Sequence, residues 1–315
     1  MPQDPLGLLA RMNAMSLMLI TPEFYRIRRI RKQGVGRIDH GHSRFAIEPE
    51  YMNVDGLKVR FATDRQSGKP TVLFLSPLPQ SILCYDAVWS QLSGEADLIA
   101  VDLPGFGGSE GQSEHMTFAK QSAFLERFIE LMGLTDVHII APDVAMPVAL
   151  HYTIYCNHKA KSLMIGDGPG IFPSHDGSLI RKITKSGFWR FMVRLNGAKT
   201  FIAGATQLGY LHYSPKAAEM DDYVRSYAGR IGQVTKYFKH YAVGCQDLTD
   251  KIETLTVPVQ VFWGDEDGFL SAKNAAELDR RLLNSHVHIF ENCGHFCYQD
   301  KSDEFASLVR RWIER

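Results

Sequence analysis

Three side chains far apart in the chain have the types needed for one reaction: Asp143, Asp267 and His295. Asp143 stands at the centre of Val137-His138-Ile139-Ile140-Ala141-Pro142-Asp143-Val144-Ala145. This reads as a short apolar strand and a tight turn of small residues, followed by an apolar helix through Met146, Val148, Ala149 and Leu150. A reactive side chain at the apex of strand, sharp turn and helix is the form of a nucleophile elbow, here with a carboxylate between Ala141 and Ala145. The competing reading is a turn aspartate that caps the following helix. Asp267 follows Phe262-Trp263-Gly264-Asp265-Glu266, and His295 follows Phe290-Glu291-Asn292-Cys293-Gly294, each just past a run read as a strand. Ligands of open parallel sheets bind at the carboxyl ends of strands, so the three residues can converge. His295 also has a plain reading as a buried structural histidine.

The elements that must position them begin after an N-terminal extension, residues 1–45. Leu6 to Ile20 reads as an apolar helix ended by Pro22, and a basic cluster follows from Tyr25 to Lys32. Such an arm packs on its own domain or a partner subunit, or lies on an anionic membrane surface. Packing is the preferred expectation. A core of residues 46–170 and 251–315 opens with a hairpin, Tyr51–Val54 and Leu57–Ala62 around the turn Asp55-Gly56. Strands at Thr71–Leu75, Asp97–Val101, Val137–Ala141, Ser162–Ile165, Val257–Trp263 and Val287–Phe290 alternate with helices, which implies a mostly parallel sheet covered on both faces. The alternation stops over residues 171–250, where helix formers and aromatics predict a helical cap above the sheet.

Lysine plus arginine and aspartate plus glutamate stand at 35 each in 315 residues, and zero net charge argues against nucleic-acid binding. Five dispersed cysteines do not form a disulfide framework and suggest a reducing, cytoplasmic setting. Cys293 and Cys297 lack the second pair that a zinc site needs. Residues 1–4 carry no basic start of a signal peptide, and no apolar run is long enough to span a bilayer. The loop from Gly105 to Gly111 lacks the spacing of a dinucleotide-binding turn.

From Glu48 to the C-terminus the chain resembles an α/β-hydrolase. Asp102-x-x-Gly105-x-Gly107-x-Ser109 is similar to that family's turn, Trp263-Gly264-x-x-Asp267 and Gly294-His295 match its acid and histidine motifs, and the order nucleophile, acid, histidine is its order. Spacing from Gly264 favours Asp267 over Asp265 as the acid. Aspartate at position 143 narrows the resemblance to the haloalkane dehalogenase and epoxide hydrolase branch. That implies displacement of a halide, or opening of an epoxide, to an alkyl ester of Asp143, hydrolysed by water that His295 activates with Asp267 behind it. It also implies oxyanion donors at the backbone of Val144 and Leu78, and Asp167 as an alternative acid. The implied reactants are a small apolar organic molecule and water, with no cofactor or metal.

The match departs from the family in three places. Ser76-Pro77-Leu78-Pro79 stands where relatives carry His-Gly-x-Pro. Leu78 and Val144 replace the asparagine and tryptophan that hold halide in many dehalogenases, which leaves Trp189 of the cap as a candidate donor. Epoxide hydrolases use two cap tyrosines, for which Tyr237 and Tyr241, four apart on one helix face, are candidates. An epoxide is slightly preferred to an alkyl halide. The alternative function is a non-catalytic fold that binds a small molecule or partner in its aromatic cap. A homodimer or membrane contact through residues 1–45 stays open.

Overall fold

The computed structural model describes residues 5–32, 45–156 and 160–315. Residues 1–4, on which the expected absence of a signal peptide rests, lie outside the described residues. Its centre is an eight-stranded sheet of order β1-β2-β4-β3-β5-β6-β7-β8. The strands are β1 (Glu50–Val54), β2 (Leu57–Asp64), β3 (Thr71–Leu75), β4 (Asp97–Val101), β5 (Val137–Pro142), β6 (Ala160–Gly166), β7 (Val259–Gly264) and β8 (Ser285–Phe290). Asp55 and Gly56, both at positive φ, close β1 onto β2 with Val54 opposite Leu57. Every pairing among β3 to β8 is parallel, and β4 joins the hairpin through an antiparallel pairing with β2. The inner strands β3, β5 and β7 are buried along nearly their whole length, as strands covered on both faces must be.

The helices are α1 (Leu8–Met18), α2 (Pro22–Lys32), α3 (Asp86–Leu92), α4 (Phe118–Leu131), α5 (Ala145–Tyr155), α6 (Ser178–Lys185), α7 (Gly187–Gly209), α8 (Ala217–Tyr227), α9 (Ile231–Thr249), α10 (Lys273–Arg281), α11 (Cys297–Asp300) and α12 (Ser302–Ile313). Between β6 and β7 the chain forms α6 to α9, and α7 breaks at Gly197, whose φ is 72°. Arg60 of β2, buried, ties this insertion to the core: it pairs with Asp102 after β4 and with Asp222 of α8. No described helix is long and apolar enough to cross a membrane.

The basic cluster after Pro22 is itself helical. Pro22 opens α2 at a first-turn position, where its missing N–H costs nothing, rather than only ending α1. Helix α2 is fastened at three points. Glu23 accepts from the Ser178 N–H at the start of α6, Arg26 donates to the Asp267 carbonyl at 2.9 Å, and Arg31 donates to the carbonyls of Thr206 and Tyr210 at the end of α7. Helix α1 lies along α7, with Ala10, Ala14 and Met18 turned inward.

Candidate active site

The turn after β5 holds Asp143 at φ 50°, a left-handed conformation that non-glycine residues keep only where the surroundings impose it. The Asp143 N–H donates to the Gly166 carbonyl at 2.9 Å, and the Met146 N–H donates to the Asp143 carbonyl at 3.0 Å. The space is too tight for larger neighbours. Ala141 and Ala145 are buried, and a Cβ at Gly168 would lie 2.2 Å from the Asp143 carbonyl oxygen. The Asp143 side chain does not cap α5, which has no side-chain cap. Its Oδ2 instead accepts the Leu78 N–H at 2.7 Å, which sets aside the helix-cap reading.

The other oxygen, Oδ1, lies 3.6 Å from His295 Nε2, and His295 Nδ1 lies 2.8 Å from Asp267 Oδ2. Asp267 is fixed by further donors: the N–H groups of Phe269 and Leu270 at 2.7 and 3.0 Å on Oδ1, and Trp263 Nε1 at 3.1 Å on Oδ2. Asp265 is elsewhere, accepting the Cys293 N–H at 3.0 Å, so it braces a loop and does not meet the histidine. Asp143, Asp267 and His295 are all buried, as the convergence read from the strand ends requires. Burial pushes the His295 pKa down, but the negative charges of Asp267 and Asp143 outweigh it and hold the imidazole well above its ordinary value.

Asp167, at the end of β6, reaches the same corner without touching His295 through a hydrogen bond. Its Oδ1 accepts the Gly264 N–H at 3.2 Å, and the carboxyl group is buried with the Cys297 thiol beside it. Burial, and then the nearby charge of Asp267, push its pKa well up. Asp167, Asp267 and His295 offer ligand atoms within 4.8 Å of one another, a spacing that a metal ion would accept. The hydrogen bond between Asp267 and His295 already uses the facing atoms of two of them. Cys293 and Cys297 do not belong to that group; both are buried, and the Cys297 thiol donates to the Gly294 carbonyl at 3.6 Å.

A model described as the alpha/beta hydrolase fold matches residues 70–302, about three quarters of the chain. The chain belongs to the α/β-hydrolase fold family. It is similar to monoacylglycerol lipase ABHD6 of Rattus norvegicus, at 23% identity over 78% of this chain and 75% of that protein. It is also similar to epoxide hydrolase 4 of Mus musculus, at 21% identity over 82% and 77%. Among solved structures, the haloalkane dehalogenase DbeA from Bradyrhizobium elkani USDA94 superposes with a TM-score of 0.73 at 20% identity, covering 85% of this chain and 98% of that one.

Within this hydrolase fold the departures from the family pattern have structural reasons. Ser76, buried, accepts the Leu103 N–H on its Oγ at 3.1 Å and donates its own N–H to Val101, joining the turn after β3 to the turn after β4. The Leu78 N–H survives beside Pro77 and points at the carboxylate. The glycine-rich turn from Asp102 to Ser109 is scaffolding. Asp102 accepts from Ile82 and Gly108, and a Cβ at Gly107 would lie 2.2 Å from its carboxylate.

Asp143 and His295 form the floor of an apolar cavity whose wall includes Leu78, Phe269 and Leu270 from the core. Helix α7 contributes Trp189, Met192, Val193, Asn196 and Thr200, a stripe at helical spacing. Trp189 therefore lies on the wall, as its candidacy requires. Tyr237 and Tyr241 do not. Tyr237 donates to the Val144 carbonyl at 3.1 Å, Tyr241 donates to Asp176 at 2.7 Å, and neither lines the cavity. Their i, i+4 spacing reflects packing of α9 into the core, where both rings are buried.

Sequence reasoning missed the contribution of the N-terminal extension. Ala14, Leu17 and Met18 of α1 close one side of the cavity. It also missed Asp300, whose buried carboxylate accepts four backbone N–H groups, from Leu211, His212, Tyr213 and Gly294. Asp300 thereby pins the residue before His295 to the chain leaving α7. An acidic residue five positions after a catalytic-type histidine carries no distinguishing signal in a single sequence.

Proposed function

We propose that this protein is a cofactor-independent hydrolase that forms an alkyl ester on Asp143. The observation that carries the reading is the division of labour between the two carboxylate oxygens. Oδ2 is engaged by the Leu78 N–H, while Oδ1 faces His295, and the residue lines the cavity. Oδ1 attacks a saturated carbon, the bond from that carbon to its leaving group breaks, and the leaving group departs with the electron pair. In the second step His295 takes a proton from water, whose oxygen adds to the Asp143 carboxyl carbon. Negative charge then collects on Oδ2, where the Leu78 N–H and the N–H of Val144 stabilise it. Collapse expels the alkoxide, which takes a proton through His295, and Asp143 is restored. For an alkyl halide the sum is halide plus alcohol plus a proton from substrate and water.

Between the two electrophiles the cavity favours a halide, against the preference for an epoxide expressed by the sequence. Opening an epoxide needs an acid over its oxygen, and the candidate tyrosines are engaged elsewhere. Of the polar side chains on the wall, Trp189 and Thr200 carry N–H and O–H donors suited to a departing anion, while Asn196 Nδ2 donates to the Met192 carbonyl at 2.9 Å. A binding protein without catalysis would have no use for a histidine held between two carboxylates under an apolar pocket.

Mass spectrometry on His295→Gln protein exposed to a panel of primary alkyl halides and epoxides tests the proposal. Alkyl adducts are expected on the peptide containing Asp143, accumulating because hydrolysis has lost its base, with halides reacting more readily than epoxides. Absence of any adduct, or adducts that persist in Asp143→Ala protein, would sink it.

A further inference from the structure

Helix α1 has an unusual distribution of side chains. One face, Ala10, Ala14, Leu17 and Met18, packs on α7 or lines the cavity. The opposite face is also apolar: Leu8, Leu9 and Met12 are 74, 72 and 60% exposed, and Leu19 and Ile20 follow at 49% each. Apart from Arg11, Asn13 and Ser16, α1 is apolar on both faces, and a helix of that kind is normally covered on more than one side. Helix α7 repeats the pattern. While Trp189, Met192 and Asn196 face the cavity, Phe188, Phe191 and Leu195 are 64, 58 and 67% exposed.

Lys182 and Trp189 bridge these two stripes. The Lys182 ammonium donates to the Ile20 carbonyl at 3.1 Å and lies over the Trp189 ring, whose edge meets Phe188. Tyr25, half exposed, donates to the Leu19 carbonyl at 2.8 Å. Exposed apolar surface on this scale in a monomer marks an interaction site.

Charge identifies the partner. Residues 5–32 and 178–200, the segments that carry the patch, hold twelve lysines and arginines and a single acid, Glu23. They are therefore +11 in a chain whose net charge is zero, and the remaining residues are −11. Arg28, Arg29 and Lys32 of α2 and Arg181 and Lys185 of α6 are exposed. A second copy applying the same face would meet like charge. An apolar helix face bordered by exposed cations fits the surface of an anionic bilayer, with the apolar side chains in the acyl boundary and the cations at the headgroups.

We propose that α1 and the outer stripe of α7 dock this protein on anionic lipid surfaces.

Vesicle co-sedimentation of the full chain tests this. Vesicles of phosphatidylcholine with one third phosphatidylglycerol are expected to retain the protein at low salt and release it as salt rises, while pure phosphatidylcholine binds it far less. Neutralising two cations, Arg28→Gln with Arg29→Gln, should weaken binding by roughly fivefold per charge. Leu8→Ser with Met12→Ser and, separately, Phe188→Ser with Leu195→Ser should abolish it; none of these four side chains lines the cavity. Thermal unfolding checks that each variant is folded, and the two apolar pairs lie on different helices, so one remains if the other misfolds. Equal binding to both vesicle types, or undiminished binding by folded variants, would overturn the proposal. So would a dimer in solution that the apolar substitutions convert to monomer without any vesicle binding by the parent protein.

Discussion

At the scale of single residues, the two oxygens of Asp143 make different predictions from those of a general base. If Oδ1 becomes the ester oxygen, the alcohol released in the first turnover carries an oxygen from the protein, and water oxygen enters Asp143 instead. A single turnover in ¹⁸O-water should therefore give unlabelled alcohol and labelled Asp143, read by mass spectrometry of both. Labelled alcohol in that first turnover would mean that water attacks the substrate directly. The pH dependence follows from the same geometry. The charge of Asp143 is one of the influences that raise the His295 pKa, and esterification removes it. The imidazole must be neutral to accept a proton, so hydrolysis of the ester should speed up as pH rises through a midpoint. That midpoint should lie below the His295 titration in the free enzyme, measured by NMR. Coincident midpoints would show that Asp143 does not sense its own alkylation. Asp143, Asp267 and His295 were legible in the sequence because each follows a strand in a short motif. The raised pKa of Asp167 was not, since it comes from burial beside Asp267, a contact across 100 residues.

At the scale of elements, backbone conformation separates scaffold from site. Gly197 breaks α7 at φ 72°, and a Cβ there would meet nothing within 4 Å. Gly197→Ala should therefore cost about 1–3 kcal/mol through backbone strain alone, because φ 72° with ψ −177° is a conformation open essentially only to glycine, lowering the melting temperature with little effect on the chemistry below. Gly168→Ala adds a Cβ 2.2 Å from the Asp143 carbonyl and 2.8 Å from Met146 Cβ. Overpacking of that kind costs about 1–3 kcal/mol and moves the elbow itself, so activity should fall far more than stability. Equal loss of activity in the two variants would show that the elbow tolerates displacement. The hairpin and the alternation of strands and helices were readable because turn residues and buried runs are local. The placement of α1 was not: its residues pattern as an apolar helix, and only tertiary packing decides that one face closes a cavity belonging to residues more than 100 positions away.

At the scale of the molecule, the helical insertion is joined to the core by a buried polar network. Gln80, after the turn that carries Leu78, bonds to Gln299, Tyr298 and Tyr210, and Gln299 in turn donates to Glu219 of α8 at 3.1 Å. Glu219 also accepts both the Tyr213 hydroxyl, at 2.6–2.7 Å, and the Lys216 N–H at 2.7 Å. Burial outweighs these donors and raises its pKa from 4.5 to about 7. The sign of the consequence is fixed by linkage. Between those two values the folded protein holds a proton that the unfolded chain has released, so stability falls as pH rises through that window. The whole shift corresponds to a loss on the order of 3 kcal/mol. Denaturant unfolding of wild-type protein should show stability declining from about pH 4.5 to 7, superimposed on the other titrations. Glu219→Gln keeps the acceptor for Tyr213 and cannot ionise, so the difference between the two proteins should change by that amount across the window and level off on either side. A constant difference from pH 4.5 to 7 would mean that Glu219 is already ionised at low pH, with its charge balanced by the donors around it rather than suppressed by burial.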